Sequence, residues 1–92
     1  MTVELIEKEC LNQLKFPKFY PELSSDKKNL LLEKLKKAVV IGNTDKVKCS
    51  IVFNDSDGLK QINTTIWEYD DEFISLKSGM TLNLKFIEDI IF

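Results

Sequence analysis

The sequence predicts an α+β fold in which two helices precede a five-stranded antiparallel β-barrel. Apolar residues recur at helical spacing before Gly42 and at every second position after it. The second half is also rich in β-branched and aromatic residues and is divided by turn residues at short intervals, as is typical of a meander of strands. With 92 residues, the chain is predicted to form a single domain, residues 1–92.

The first helix is predicted over residues 3–15. Apolar residues recur there three and four positions apart, as on the core side of an amphipathic helix: Val3, Ile6, Cys10 and Leu14. Pro17 disfavours helical geometry in the residue before it and is predicted to end the helix. The FPKFYPEL segment that follows is predicted to be an extended linker, and its aromatic residues, Phe16, Phe19 and Tyr20, are expected to pack on the core.

The second helix is predicted over residues 25–39, with Ser24 or Ser25 as its N-cap and Gly42 beyond its end. Its apolar residues again share one side: Leu31, Leu35, Ala38 and Val39. This side is predicted to cover the strands that follow.

Five strands are predicted at about residues 46–54, 59–69, 73–77, 80–84 and 88–92. Their alternating residues define one apolar face: Val47, Cys49, Ile51, Phe53, Ile62, Ile66, Ile74, Leu76, Met80, Leu82 and Leu84. A long bent second strand and a fifth strand that pairs with the first would close a small barrel without exposed edges. An open antiparallel sheet backed by the two helices is the alternative.

Three hairpin loops set the predicted register. Asp57-Gly58 is predicted to be a two-residue primed turn, which places Phe53 opposite Ile62. The loops at 70–72 and 77–79 are predicted to have three residues each, with Gly79 in the left-handed conformation. The three loops together predict these further pairs of opposite residues: Cys49 and Ile66, Tyr69 and Phe73, Ile66 and Leu76, and Ile74 and Leu82.

The order of these elements resembles that of Sm-like and SH3-like barrels. The resemblance covers Lys46 to the C-terminus and rests on the Asp-Gly turn and the segments NTTIW, FISLKSG and LNLKFIEDII. Over nearly the full length, with FPKFY between two helices and TTIW followed by ISLKSG, the chain also resembles a group of short bacterial proteins of unassigned function. The likeness implies a fold and brings no activity with it.

Composition and spacing predict that the protein is not an enzyme and holds no cofactor or metal. The chain has no His and no Arg, which removes imidazole bases, histidine ligands and guanidinium contacts to phosphate. A calcium loop with Gly58 at its sixth position fails, because Phe53 and Thr64 would occupy ligand positions. The two cysteines, Cys10 and Cys49, are predicted to be reduced and buried, with a disulfide or reactive thiol as the alternative.

A cytoplasmic protein without a membrane contact is predicted. Every apolar stretch is far shorter than the roughly 20 residues that a membrane span needs. Acidic residues also interrupt the apolar stretch at the N-terminus, which excludes a secretory signal there.

The predicted function is that of a non-catalytic binding or scaffolding module. Its candidate interaction surface is Lys48, Trp67, Tyr69 and Phe73, with Lys48 opposite Trp67 in the predicted register. Trp67 is expected to be largely covered, and Tyr69 and Phe73 more exposed. The partner is an unknown protein or a second copy of the chain. Single-stranded RNA or another nucleic acid is the alternative, disfavoured because residues 46–92 contain five Lys and eight acidic residues.

Overall fold

The computed structural model describes residues 4–6, 14–44, 48–76 and 79–92. Within these ranges the chain forms one α-helix, seven strands and a single 3-10 turn at Leu84–Phe86. The elements, in chain order, are β1 (Glu4–Leu5), α1 (Ser25–Thr44), β2 (Cys49–Asp55), β3 (Gly58–Thr64), β4 (Ile66–Tyr69), β5 (Phe73–Leu76), β6 (Thr81–Asn83) and β7 (Ile87–Ile91).

The strands form two separate sheets. The first has the order β1-β3-β2-β7, with β1 parallel to β3 and the other neighbours antiparallel. The second is an antiparallel meander in the order β4-β5-β6. Helix α1 packs against β4 of the second sheet and β7 of the first, so it spans both sheets.

The predicted closed barrel is therefore wrong. The fifth predicted strand does pair with the first, as β7 with β2, but the second predicted strand is divided between the two sheets. Thr64, Thr65 and Ile66 are all buried, which interrupts the alternation of a continuous strand at the point where the chain crosses from β3 to β4. The alternative of a single open sheet backed by two helices also fails, because the described strands lie in two sheets.

The predicted helix over residues 3–15 is also wrong where the structure describes it. Glu4 and Leu5 form β1 opposite Lys60 and Gln61, and the amide of Ile6 donates to the carbonyl oxygen of Gln61 at 2.9 Å. Strand β1 therefore pairs with the edge of β3 that β2 leaves open, and backbone groups of both strands find hydrogen-bond partners there. Residues 14 and 15 are not helical, and residues 3 and 7–13, with Cys10, lie outside the described residues.

Helix α1 matches the second predicted helix and continues beyond it. The Ser24 hydroxyl accepts a hydrogen bond from the amide of Lys27 at 3.3 Å, which confirms Ser24 as the N-cap. The helix runs to Thr44 and includes Gly42, which was expected beyond its end. Gly42 lies on the buried side with Leu31, Leu35 and Ala38, so this glycine is part of the packing surface of the helix.

The predicted apolar face is the core of the protein. Of its residues that the structure describes, only Met80 is not fully buried, and it packs against the others. Val47 lies outside the described residues. In the linker, the rings of Phe16 and Tyr20 lie 4.8 and 5.1 Å from that of Phe86. Phe19 is 90% exposed, so the expectation that it packs on the core is wrong.

The register of the last hairpin matches the prediction, and that of the first hairpin does not. In the last hairpin Ile74 lies opposite Leu82 and Gly79 has φ +87°, both as predicted. In the first hairpin the register is displaced by two residues, so that Ile51 rather than Phe53 lies opposite Ile62. A displacement of two leaves every side chain on its predicted face, which is why the core prediction survives it.

Among the described helical residues there is no segment long and apolar enough to cross a membrane.

Candidate functional site

The candidate site is built on the hairpin of β4 and β5. At its base, Ile66 lies opposite Leu76, as predicted. At its tip, the amide of Asp70 donates to the carbonyl oxygen of Phe73 at 2.9 Å, so the loop has two residues instead of the predicted three. Because the loop is one residue shorter, β4 contains one extra residue, and the ladder has a bulge between Ile66 and Glu68.

The bulge re-aims the side chains of β4. Beyond it, Glu68 lies opposite Ser75 and Tyr69 opposite Ile74, whereas the predicted register placed Tyr69 opposite Phe73. Tyr69 is thereby turned towards the core, on which it packs, and Trp67 remains outside. The shorter loop thus determines which aromatic residue reaches the surface.

An open hollow of about 410 Å³ lies over this hairpin, and we refer to it as the aromatic groove. The residues that line it are Val39 of α1 together with Trp67, Glu68, Tyr69, Asp70, Phe73 and Ser75. Trp67 is 50% exposed and Phe73 40% exposed. The expectation that Trp67 is largely covered is therefore wrong, as is the expectation that Tyr69 and Phe73 are more exposed than Trp67.

Three of the four predicted surface residues, Trp67, Tyr69 and Phe73, meet in the aromatic groove. The fourth, Lys48, is exposed just before β2 and does not line the groove. Its predicted place opposite Trp67 depended on a register with Cys49 opposite Ile66, but Cys49 lies opposite Thr64.

The rim of the aromatic groove is acidic. The carboxylates of Glu68 and Asp70 lie on it, and the described part of the chain contributes no lysine to its lining. Hydrogen bonds from the backbone amide of Phe73, and secondarily from that of Glu72, lower the pKa of Asp70. Asp70 therefore stays charged to lower pH than an ordinary aspartate.

Sequence reasoning did not include Val39, Glu68, Asp70 and Ser75 in the site. The acids beside the aromatic residues were visible in the sequence as turn residues, and their position next to Trp67 and Phe73 was a usable signal. Val39 could not be found in this way, because its place depends on how α1 crosses β4.

Two other chemically reactive groups, the Asp55–Lys60 ion pair and the Cys49 thiol, are buried and bonded within the protein. The Asp55 carboxylate and the Lys60 ammonium form an ion pair at 3.4 Å, with side chains that are 1% and 10% exposed. The Cys49 thiol is buried and donates to the carbonyl oxygen of Thr64 at 3.5 Å. Burial raises the pKa of this thiol, so it is held in its protonated, unreactive form. Within the described residues, no three Cys, Asp or Glu side chains are grouped so as to hold a metal ion.

Comparisons with protein families, curated proteins and solved structures found no significant match to this chain. The resemblance to Sm-like and SH3-like barrels consequently has no support from the comparisons, and the two open sheets contradict it. A function for the chain must be argued from the aromatic groove itself.

Proposed function

We propose that the protein is a non-catalytic, cytoplasmic binding module that holds a segment of a partner protein in the aromatic groove. The observation that carries the proposal is the exposure of Trp67 and Phe73 in one hollow. Trp is the residue most enriched among those that dominate binding energy at interfaces, and half of this side chain is open to a partner.

The chemistry of the rim defines the kind of partner. Glu68 and Asp70 place negative charge beside two apolar rings. A complementary segment therefore carries an apolar or aromatic side chain that enters the groove and a Lys or Arg beside it. The same negative charge disfavours a phosphate backbone, so nucleic acid becomes an alternative outcome of the test.

Selection from a displayed library of random peptides tests the proposal. Enriched peptides should combine an apolar anchor with Lys or Arg, and should change the fluorescence of Trp67, the only tryptophan of the chain. Trp67→Ala should weaken their binding by about 2 kcal/mol or more, which is roughly thirtyfold. Because Trp67 is half exposed, the variant should unfold at nearly the same urea concentration as the wild type.

Phe19→Ala is the matched control, since Phe19 is an exposed aromatic residue that does not line the groove. It should leave peptide binding unchanged. Equal losses for both variants, or enrichment of acidic peptides, would contradict the proposal. Salt-dependent binding of an oligouridine that Trp67→Ala abolishes would replace it with the nucleic-acid alternative.

A further inference from the structure

Helix α1 carries an exposed stripe on the side opposite its core residues. The stripe, which we call the outer stripe, consists of Asp26, Leu30, Glu33, Lys37, Val40 and Thr44. All six residues are exposed, and the two apolar ones, Leu30 and Val40, have 60% and 57% of their surface in solvent. A shallow hollow of about 440 Å³ follows the stripe and is lined by Glu33, Lys36, Lys37, Val40 and Ile41.

The four central residues of the outer stripe, Leu30, Glu33, Lys37 and Val40, face complementary residues when a second copy of the helix runs in the opposite direction. Steps of four and three alternate symmetrically about the level of Leu35. Two antiparallel copies that cross at this level would therefore place Glu33 opposite Lys37 and Leu30 opposite Val40, each contact occurring twice. A parallel pair would instead place Glu33 opposite Glu33 and Lys37 opposite Lys37, which repel.

We propose that a second copy of this chain docks on the outer stripe, with the two α1 helices antiparallel about a two-fold axis. Glu33 of each copy then contacts Lys37 of the other, and the Leu30 and Val40 side chains of the two copies cover one another. The charge pattern favours a second copy as the occupant. In the antiparallel pair the acid Glu33 faces the base Lys37 and the apolar Leu30 faces the apolar Val40, while Asp26 faces the uncharged Thr44 at the ends.

The dimer goes beyond the proposed function, because it uses a different face of the molecule. Val39 is the α1 residue of the aromatic groove and is absent from the outer stripe. Both grooves therefore remain open, and the dimer presents two of them. A partner with two copies of the recognised segment would bind such a dimer more tightly than one groove allows.

The association should be weak. Two helices that meet along one stripe bury less than the roughly 1,200 to 2,000 Å² of a standard interface. We expect a dissociation constant on the order of 0.1 to 1 mM, within reach of sedimentation equilibrium on the full chain at about 1 mM.

Charge reversal tests the pairing directly. Lys37→Glu and Glu33→Lys should each weaken self-association by about tenfold or more, because each brings like charges together twice in the dimer. An equimolar mixture of the two variants should associate at least as well as the wild type, since one then carries two acids and the other two bases at the facing positions. Lys18→Glu, which makes the same change of charge at an exposed site outside α1, should leave association unchanged.

Two further variants distinguish this interface from association through the aromatic groove. Leu30→Ala should weaken self-association, because it removes an apolar contact of the dimer. The protein should stay folded, since Leu30 is exposed and alanine is a strong helix former. This variant therefore tests the interface even if a charge variant fails to fold. Trp67→Ala should leave association unchanged. A wild-type protein that is monomeric at about 1 mM, a mixture that fails to associate, or loss of the dimer with Trp67→Ala would each overturn the proposal.

Discussion

The hairpins β2–β3 and β4–β5 turn with the same local chemistry in different surroundings. In each, an aspartate opens the turn and one carboxylate oxygen accepts two backbone amides. Asp55 accepts from Asp57 and Gly58 at 2.8 and 3.0 Å. Asp70 accepts from the amides two and three residues later, at 2.7 Å each. The Asp55 carboxylate is buried and also paired with Lys60, whereas Asp70 is exposed.

The ladders that follow these turns differ as well. The β2–β3 ladder runs without interruption from Asp55 opposite Gly58 to Cys49 opposite Thr64. The β4–β5 ladder has its bulge within three residues of the turn, beside Trp67. The same turn therefore ends a regular ladder with a buried aspartate in one case and an irregular ladder with an exposed aspartate in the other. The candidate site lies on the second, where an extra residue could be inserted to turn an aromatic ring outward.

The largest expected effect concerns the buried carboxylate. Asp55→Ala should lower the free energy of unfolding by about 3 kcal/mol, because it leaves the Lys60 ammonium buried without a partner and two turn amides without an acceptor. Urea denaturation measures the loss. Asp70→Ala also removes an acceptor for two turn amides, but at an exposed position where water can replace it. It should therefore lower the free energy of unfolding far less.

Asp55→Asn is the matched variant for this experiment. Its amide oxygen can still accept from the turn, but its charge is lost, so its cost should fall between those of the wild type and Asp55→Ala. If Asp70→Ala proved as damaging as Asp55→Ala, the distinction between a buried and an exposed turn would be wrong.

The next effect concerns the fourth residue of the turn, which is Gly58 in the first hairpin and Phe73 in the second. Gly58 has φ +130°, and a Cβ built there meets no atom within 4 Å. Gly58→Ala should therefore destabilise through backbone strain alone, by about 1 to 2 kcal/mol. Ser56→Ala, at an exposed position of the same turn, should be nearly neutral, and thermal unfolding would compare the two. Equal stability of Gly58→Ala and wild type would show that the strain is absent.

The alternation of apolar residues was sufficient to predict the core. It was insufficient to predict the first register, because Phe53 and Ile51 lie on the same face and either can stand opposite Ile62. The choice is made by the Asp55 carboxylate, whose bonds to Asp57 and Gly58 close the turn one step earlier than the Asp-Gly pair suggested. A side-chain hydrogen bond of this kind leaves no periodic signal in the sequence.

The site was predicted in its residues better than in its geometry. The sequence brought Trp67, Tyr69 and Phe73 together, and the structure places all three in one groove. Alternation placed all three on the outer face, but Tyr69 packs on the core, because strict alternation cannot register a bulge of one residue. Trp67 was expected to be covered because tryptophan is seldom left in water, yet it is 50% exposed. The division into two sheets was missed because residues 59–69 were interpreted as one continuous strand, and the sequence does not show that Thr64, Thr65 and Ile66 are all buried.

The smallest expected effect is the pH dependence of the exposed turn. The amide bonds from Phe73 and Glu72 lower the pKa of Asp70, so the folded protein keeps this carboxylate charged at pH values where the unfolded chain binds a proton. The stabilisation is therefore complete above the ordinary aspartate pKa of about 4 and is lost as the pH falls through the lowered value. The stability gap between wild type and Asp70→Asn should accordingly narrow as the pH is lowered below about 4.

Asp89 provides the control for this titration. Its pKa is also lowered, chiefly by a hydrogen bond from the Lys34 side chain, and this pair lies at the surface. High salt should therefore raise the pKa of Asp89 towards its ordinary value, because added ions screen the attraction between two exposed charges. Asp70 should respond less, since its shift comes mainly from neighbouring backbone dipoles in direct contact. Carboxyl-carbon NMR measures both titrations. If salt changed the pKa of Asp70 more than that of Asp89, the pKa of Asp70 would be lowered by long-range charge and not by backbone hydrogen bonds of the kind that also close the Asp55 turn.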